Sequence, residues 1–173
     1  VSGSDSDASE ITDALAKEGI RVTIGPARAT HVPKHADILV HTASVPVTHP
    51  EVASAKKKGI LILSYAAALG RVTRQYRTIA ITGSHGKSTT TAMTALILDA
   101  GHIDPMVIVG TKLKEFGDSN FRFGRGGYFL VEADDFNRSF LHLTPHIALI
   151  TNIDAEHLDT YKTIIEVEKA FVE

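Results

Sequence analysis

Residues 82–89 read TGSHGKST, and this stretch decides how the second half of the chain folds. It follows an apolar run at 78–82 that predicts a buried strand, and it opens a segment at 87–100 that predicts a helix ended by Gly101. A glycine turn between a strand and a helix is typical of phosphate-binding loops, because converging N–H groups and the helix N-terminus attract anions. The residues predicted to bind the nucleotide are Gly83, Ser84, His85, Gly86, Lys87, Ser88 and Thr89.

Two side chains of this turn have defined tasks in such loops. Lys87 can reach the terminal phosphates, and the hydroxyl of Ser88 can ligate Mg²⁺. The turn has two residues between Gly83 and Gly86, whereas the general pattern has four. The alternative interpretation is an ordinary glycine turn followed by a surface lysine. Such a turn does not require a strand before it and a helix after it, whereas a phosphate-binding loop does.

Acidic and histidine side chains follow two further predicted strands, at residues 128–132 and 147–151. Glu132 ends the first, and its carboxylate can hold a Mg²⁺ that bridges nucleotide phosphates. His157 follows the second and can ligate a metal, with a nearby carboxylate orienting its ring. Because carboxyl ends of parallel strands meet at one sheet edge, we predict one site with Lys87, Glu132 and His157 as catalytic residues and Ser88, Glu132 and His157 as metal ligands. The alternative for Glu132 is that it belongs to a solvated acidic loop without a metal. The alternative for His157 is that it is a polar loop residue without a ligand role.

The first half of the chain alternates helix and strand signals. A capping-box pattern at Asp7 and Glu10 predicts a helix up to Gly19, and Pro50 and Gly59 bracket a second one. Residues 20–24, 38–40 and 60–63 are predicted strands, the last two buried. This alternation predicts an α/β fold with parallel sheets built from βαβ units.

The charge changes sign along the chain near a polar stretch at residues 71–77. Residues 1–77 carry 10 basic and 7 acidic side chains, and residues 78–173 carry 8 and 13. We interpret this stretch as a linker between a domain at residues 1–74 and a domain at residues 75–173. Residues 111–127 lack clear periodicity and predict a long, functional loop.

Composition excludes several classes of protein. A net charge of −2 argues against nucleic-acid binding through a basic face. No apolar run approaches the ~20 residues of a membrane span, and the first residues lack the basic start and apolar core of a signal peptide. Because the chain also has no cysteine, a cytoplasmic protein without membrane or nucleic-acid partners is expected.

Three groups of residues together resemble the Mur ligase family. They are residues 82–88 (TGSHGKS), residues 131–134 with 138–141 (VEAD, RSFL), and residues 151–153 with 157–161 (TNI, HLDTY). A histidine at the position of His85 resembles two branches of the family. One branch adds L-alanine to UDP-N-acetylmuramate, and the other recycles murein tripeptide. The segment at 157–161 favours the alanine-adding branch. The chain departs from the family at Asp135, where Glu is usual, and at Asn137, where Asp is frequent.

The resemblance implies a fold, an activity and partners. The fold would be a Rossmann-like UDP-binding domain followed by a P-loop ATPase-type central domain. The activity would be an ATP- and Mg²⁺-dependent joining of L-alanine to UDP-N-acetylmuramate through an acyl phosphate. The resemblance further implies that the chain is a fragment of a longer ligase. The opening strand of the UDP-binding domain would lie before Val1, and a C-terminal domain would lie after Glu173. Residues in positions similar to those of substrate-binding residues are Asp5, Thr42, Ser44 and Asn120.

Two other functions remain open on the sequence alone. One is the recycling ligase, which attaches a preformed tripeptide to the same UDP-sugar. The other is a nucleotide-binding module without ligase chemistry. The departures from the family at Asp135 and Asn137 favour this second possibility.

Overall fold

The computed structural model describes residues 1–156 and 160–173, and the described chain divides into two compact units. Unit 1 is Val1–Tyr65 and unit 2 is Ala66–Glu173. The predicted boundary between residues 74 and 75 remains a prediction. Part of the proposed linker is helical, because its first three residues form the last turn of a helix that the sequence analysis did not anticipate.

Unit 1 consists of alternating strands and helices, as the sequence predicts. β1 pairs with β2 and β3 pairs with β4, in both cases parallel. A short 3₁₀ turn, Ala29–His31, precedes β3. The elements are β1 (Ser2–Asp5), α1 (Glu10–Lys17), β2 (Arg21–Ile24), β3 (Ile38–His41), α2 (Pro50–Lys57) and β4 (Leu61–Ser64).

Two details of unit 1 differ from the expectation. The helix α1 is capped by Ser9, which accepts from the Thr12 N–H while the Thr12 hydroxyl accepts from the Ser9 N–H, so the predicted Asp7–Glu10 box is wrong. The prediction that β3 and β4 are buried is also wrong for one face, since Ile38 and Val40 of β3 are 47% and 50% exposed and Leu61 of β4 is 41% exposed. The opposite face, which carries Leu39, packs against a small core.

Unit 2 contains a mostly parallel sheet, with strands in the order β7-β6-β8-β5-β9 among the described residues. All neighbouring strands are parallel except β6 and β7. α3 joins the two units in the chain. The elements are α3 (Tyr65–Thr73), β5 (Arg77–Thr82), α4 (Lys87–Ala100), β6 (Met106–Leu113), β7 (Ser119–Arg122), β8 (Tyr128–Glu132), β9 (Ile147–Ile150) and α5 (Ile164–Val172).

The predicted long loop at residues 111–127 is wrong. The strand β6 extends to Leu113, and a 3₁₀ turn at Lys114–Phe116 leads into β7, which returns antiparallel along β6. The connection is tight because Gly117 adopts a φ of 72°, a backbone conformation that glycine tolerates well. A strand of four residues, three polar and one aromatic, carries too weak an alternation to be distinguished from a loop by sequence.

The core of unit 2 lies on both faces of β8 and β5. Phe129, Leu130 and Val131 are fully buried, so β8 is covered on both sides. Ile81 and Leu130 pack with Ala95 of α4 on one face, and Phe129 and Val131 pack on the other. This packing fixes the ends of β5 and β8, where the predicted functional residues lie.

Candidate functional site

Parallel pairing brings the ends of three strands of unit 2 to one edge of the sheet. β8 and β9 flank β5, with Ile81 opposite Glu132 and Thr82 opposite Ile150. The glycine turn follows β5 at this edge. The carboxyl end of an open parallel sheet is where such folds bind ligands, so the predicted residues lie at the expected place.

The glycine turn is anchored to the segment that follows β9. The N–H groups of Ser84 and His85 donate to the backbone and side-chain oxygens of Asn152 at 3.0 and 2.9 Å. Thr151 donates its hydroxyl to the His85 carbonyl at 2.6 Å. Since these bonds occupy the N–H groups of Ser84 and His85, the groups that remain to receive phosphate are those at the start of α4.

Gly83 has to be glycine in this arrangement. Its φ is +125°, and a Cβ there would lie 2.3 Å from the Thr151 hydroxyl and 2.7 Å from the Asn152 carbonyl. Gly86, with a φ of 77°, is the N-cap of α4. Both glycines therefore serve the turn through the backbone, as the sequence predicts.

The beginning of α4 is open in the described part of the chain. No side chain caps the helix, and the first N–H groups of an α-helix have no partner within it. These groups and the helix dipole favour an anion. Thr89, another residue predicted to bind the nucleotide, lies exposed in this first turn.

Lys87 points back onto the turn. Its ammonium donates to the carbonyls of Gly83 and Ser84 at 2.6 and 3.0 Å and to Asp135 Oδ1 at 2.9 Å. The Lys87 side chain is 15% exposed and that of Asp135 is 2% exposed. The ion pair with Asp135 is a contact that the sequence did not reveal.

Ser88 and Glu132 meet beside Lys87. The Ser88 hydroxyl donates to Glu132 Oε1 at 2.8 Å, and the N–H of Gly110, within β6, donates to Glu132 Oε2. The carboxylate is thus held from two sides. A hydroxyl and a carboxylate oxygen in contact are ligands that Mg²⁺ accepts together with phosphate and water, so the two residues fit the predicted metal site.

The remaining predicted metal ligand, His157, lies outside the described residues. Within residues 1–156 and 160–173, no cluster of three His, Asp or Glu side chains could hold a metal unaided. The Ser88–Glu132 pair would therefore need ligands from the nucleotide and water, which is the usual arrangement for Mg²⁺.

His85 lies between two carboxylates on the outer side of the turn. Its Nε2 is 3.4 Å from Asp154 Oδ2, and its Nδ1 is 3.3 Å from Glu156 Oε1. The Ala155 N–H and the His85 ring lower the pKa of Asp154 below its usual value. The lowered pKa keeps Asp154 ionised at neutral pH, so its carboxylate stays negatively charged beside His85.

Tyr161 contacts the backbone of the acidic segment that follows β8. It is 3% exposed, and its hydroxyl donates to the Asp135 carbonyl at 2.7 Å. Burial, with the Asp135 charge as a smaller cause, raises the pKa of Tyr161, so the hydroxyl stays protonated and donates this bond.

The residues predicted to bind a second substrate fall into both units. Asp5 ends β1, where its carboxylate accepts from the Asp7 N–H, and Thr42 and Ser44 share a 2.7 Å hydrogen bond after β3. All three are exposed. Asn120 belongs to unit 2 and is exposed on β7. Their role remains a prediction.

Sequence reasoning did not identify four residues that build this site. Asn152 directly follows the predicted strand at residues 147–151, so its position was a usable signal, whereas Gly110 lies inside β6. Asp135 was noted only as a departure from the family and Tyr161 only as part of the segment at 157–161. Their residue types did not indicate the contacts that Asp135 makes with Lys87 and with Tyr161.

No helix in the described part of the chain combines the length and the apolar character that a membrane crossing requires.

Comparison with known proteins covers both units. Residues 1–77 match the family described as "Mur ligase family, catalytic domain", and residues 81–173 match "Mur ligase middle domain". A curated relative from Anaeromyxobacter sp. (strain Fw109-5), "UDP-N-acetylmuramate--L-alanine ligase", is 46% identical over 173 residues. The match covers 100% of this chain and 37% of that protein.

Two solved structures have the same fold. UDP-N-acetylmuramate-alanine ligase MurC from Thermotoga maritima has a TM-score of 0.88 and 27% identity, over 99% of this chain and 40% of that one. UDP-N-acetylmuramate:L-alanyl-gamma-D-glutamyl-meso-diaminopimelate ligase from Neisseria meningitides has a TM-score of 0.86 and 23% identity, over 99% and 58%. Together with the family match across the phosphate turn and Glu132, these findings show that the chain belongs to the Mur ligase family.

Proposed function

We propose that the chain forms the UDP-substrate-binding and ATP-binding parts of a ligase that joins L-alanine to UDP-N-acetylmuramate, converting ATP to ADP and phosphate. The observation that carries the proposal is the meeting of Lys87, Ser88 and Glu132 at the open N-terminus of α4. The name of the Anaeromyxobacter relative, 46% identical over the whole chain, supports this substrate pair.

The proposed reaction has two steps. A carboxylate oxygen of the muramoyl lactoyl group attacks the γ-phosphorus of ATP, and ADP leaves with the electron pair of the broken P–O bond. The amine of L-alanine then attacks the acyl carbon, loses a proton, and phosphate departs. Because the first step joins two anions, the site has to supply positive charge where they meet.

The residues of unit 2 are suited to the first step. The N–H groups of the first turn of α4 would hold the phosphates, and the Lys87 ammonium would neutralise the charge on the transferred group. Ser88 and Glu132 would hold a magnesium ion, which when bound neutralises phosphate charge and orients the γ-phosphoryl group. His157 is proposed as a further metal ligand on the family resemblance.

The residues proposed for the UDP-sugar are Asp5, Thr42, Ser44 and Asn120. The hydroxyls of Thr42 and Ser44 are exposed on the loop after β3, and exposed loop hydroxyls after a parallel strand can donate to phosphate or sugar oxygens. A cytoplasmic location belongs to the same proposal, since ATP and nucleotide sugars are cytoplasmic metabolites.

The substitution Lys87→Ala tests the proposal in the complete gene product that contains these residues. We expect L-alanine-dependent phosphate release to fall at least ~100-fold, because a charge-stabilising contact to the transferred phosphoryl group is worth about 3 kcal/mol. Binding of UDP-N-acetylmuramate, followed by calorimetry, should stay within about twofold.

The matched control is Lys114→Ala, which removes an exposed lysine from a 3₁₀ turn of the same unit. This variant should keep the parent rate. Phosphate release by Lys87→Ala at the parent rate would contradict the role of the turn.

A second candidate function is the tripeptide-recycling ligase, since His85 in the phosphate turn resembles that branch of the family as well as the alanine-adding branch. Parallel reactions with L-alanine and with the tripeptide L-alanyl-γ-D-glutamyl-meso-diaminopimelate separate the two. The alanine-adding ligase forms product only with the first, and the recycling ligase prefers the second. A nucleotide-binding module without ligase chemistry forms product with neither.

A further inference from the structure

The ammonium of Lys87 is saturated by the protein itself. A lysine ammonium has three protons to donate, and its three acceptors here are the Gly83 and Ser84 carbonyls and Asp135 Oδ1. A phosphate that enters the turn therefore has to displace at least one of them. Asp135 is the charged member of the set and holds the ammonium most strongly, since attraction between opposite charges adds to its hydrogen bond.

Asp135 is rigidly held in this position. It lies three residues beyond the end of β8, and its carbonyl accepts the Tyr161 hydroxyl at 2.7 Å and the Arg138 N–H at 3.2 Å. Its side chain is 2% exposed. The backbone around Asp135 is thus fixed by the buried Tyr161, and its carboxylate is presented to Lys87 at 2.9 Å.

This placement puts a buried negative charge beside a site for negatively charged phosphates. The carboxylate both orients the ammonium and opposes the arrival of an anion. Separating a buried carboxylate from a cation that pairs with it is costly, so the Lys87–Asp135 ion pair resists disruption. A nucleotide competes with Asp135 for the same ammonium.

We propose that Asp135 is a positioning residue that holds Lys87 on the phosphate turn and, by competing with the phosphates, limits nucleotide affinity in favour of correct placement of the ammonium. The inference rests on the proposed ATP-binding function of the turn. It adds a role for a residue that contacts Lys87 and to which the proposed reaction assigns no contact with substrate.

The central test is Asp135→Asn, measured in the complete gene product by calorimetric titration with Mg·ATP and by steady-state kinetics. We expect the dissociation constant for ATP to fall on the order of tenfold, because an opposing charge and a competing acceptor are removed. At the same time kcat should fall at least about tenfold, because Lys87 is no longer oriented. Tighter binding with slower turnover is an outcome that general structural damage does not produce.

Two further variants keep the test decisive if Asp135→Asn folds poorly. Asp135→Glu keeps the charge on a longer side chain and should retain the parent ATP affinity within about threefold and a large part of kcat. Tyr161→Phe removes only the hydroxyl that anchors the Asp135 carbonyl, so it should shift ATP affinity and kcat in the same directions as Asp135→Asn by smaller factors. Asp118→Asn, which removes an exposed carboxylate of the same unit, should change neither quantity.

Each outcome bears on one of the two proposals. Unchanged or weaker ATP binding in folded Asp135→Asn and Tyr161→Phe, with the parent protein binding ATP normally, would overturn the role of Asp135 and leave the proposed function standing. Failure of the parent protein to bind Mg·ATP would overturn the proposed function and this inference with it.

Discussion

At the scale of single residues, the site depends on a few backbone groups as much as on charged side chains. Glu132 is oriented by the N–H of Gly110, and the glycine turn is tied to Asn152 by two N–H groups. Lys87, Ser88 and Glu132 were predictable because their residue types and spacing match phosphate and metal chemistry. The contact of Lys87 with Asp135 was not, since it joins residues 48 positions apart in the chain.

The substitution Gly110→Ala tests the orientation of Glu132. A Cβ at residue 110 would lie 2.8 Å from both oxygens of the Glu132 carboxylate, which is closer than real Cβ contacts. The flexible carboxylate has to move and would then fit a magnesium ion less well. We expect the Mg²⁺ concentration for half-maximal phosphate release to rise on the order of tenfold, as outer-shell changes commonly do.

The control for Gly110→Ala is Gly101→Ala, whose added Cβ would meet its nearest atom at an ordinary 3.4 Å. It should leave the Mg²⁺ dependence unchanged. An unaltered Mg²⁺ dependence in Gly110→Ala would contradict the role of Gly110 and Glu132 in holding the ion.

At the scale of secondary-structure elements, the strands and helices that position the site were the most predictable part. The bounds of α4 and β8 agree with the sequence, because glycines delimit the helix and an unbroken apolar run delimits the strand. The strand β7 was missed because four polar and aromatic residues show no alternation. The helix α3 was missed because its charged end suggested a linker.

The strand β8 should be the main support of the site, and Phe129→Ala tests this. Phe129 is fully buried in the core and meets Tyr76 edge to face at 6.0 Å. Its truncation should lower the free energy of unfolding by about 3–5 kcal/mol, as for other buried phenylalanines, and weaken Mg·ATP binding through Glu132 at the end of the strand. Urea denaturation measures the first effect.

Phe123→Ala provides the comparison for Phe129→Ala, since Phe123 is 67% exposed. It should change the free energy of unfolding by less than about 0.5 kcal/mol. Equal losses in the two variants would contradict the assignment of Phe129 to the core.

At the scale of the whole molecule, the chain carries two units with different proposed tasks. The α/β class with parallel sheets was predictable from the alternation of helix and strand signals and is confirmed. The domain boundary was harder to predict from the sequence. The two compact units divide the chain between residues 65 and 66, whereas the first family match ends at residue 77 and the second begins at residue 81. A boundary within a continuous run of helix and strand leaves only a weak mark in composition.

The chain spans 37% of the length of its Anaeromyxobacter relative, so the activity has to be measured in the complete gene product. The most direct measurement uses UDP-N-acetylmuramate labelled with ¹⁸O in both carboxylate oxygens, together with ATP and L-alanine. An acyl phosphate intermediate leaves one carboxylate oxygen on the departing phosphate. We predict inorganic phosphate with one ¹⁸O atom and an equal amount of L-alanine-containing product by mass spectrometry. Unlabelled phosphate, or labelled phosphate without an L-alanine adduct, would contradict the proposed function.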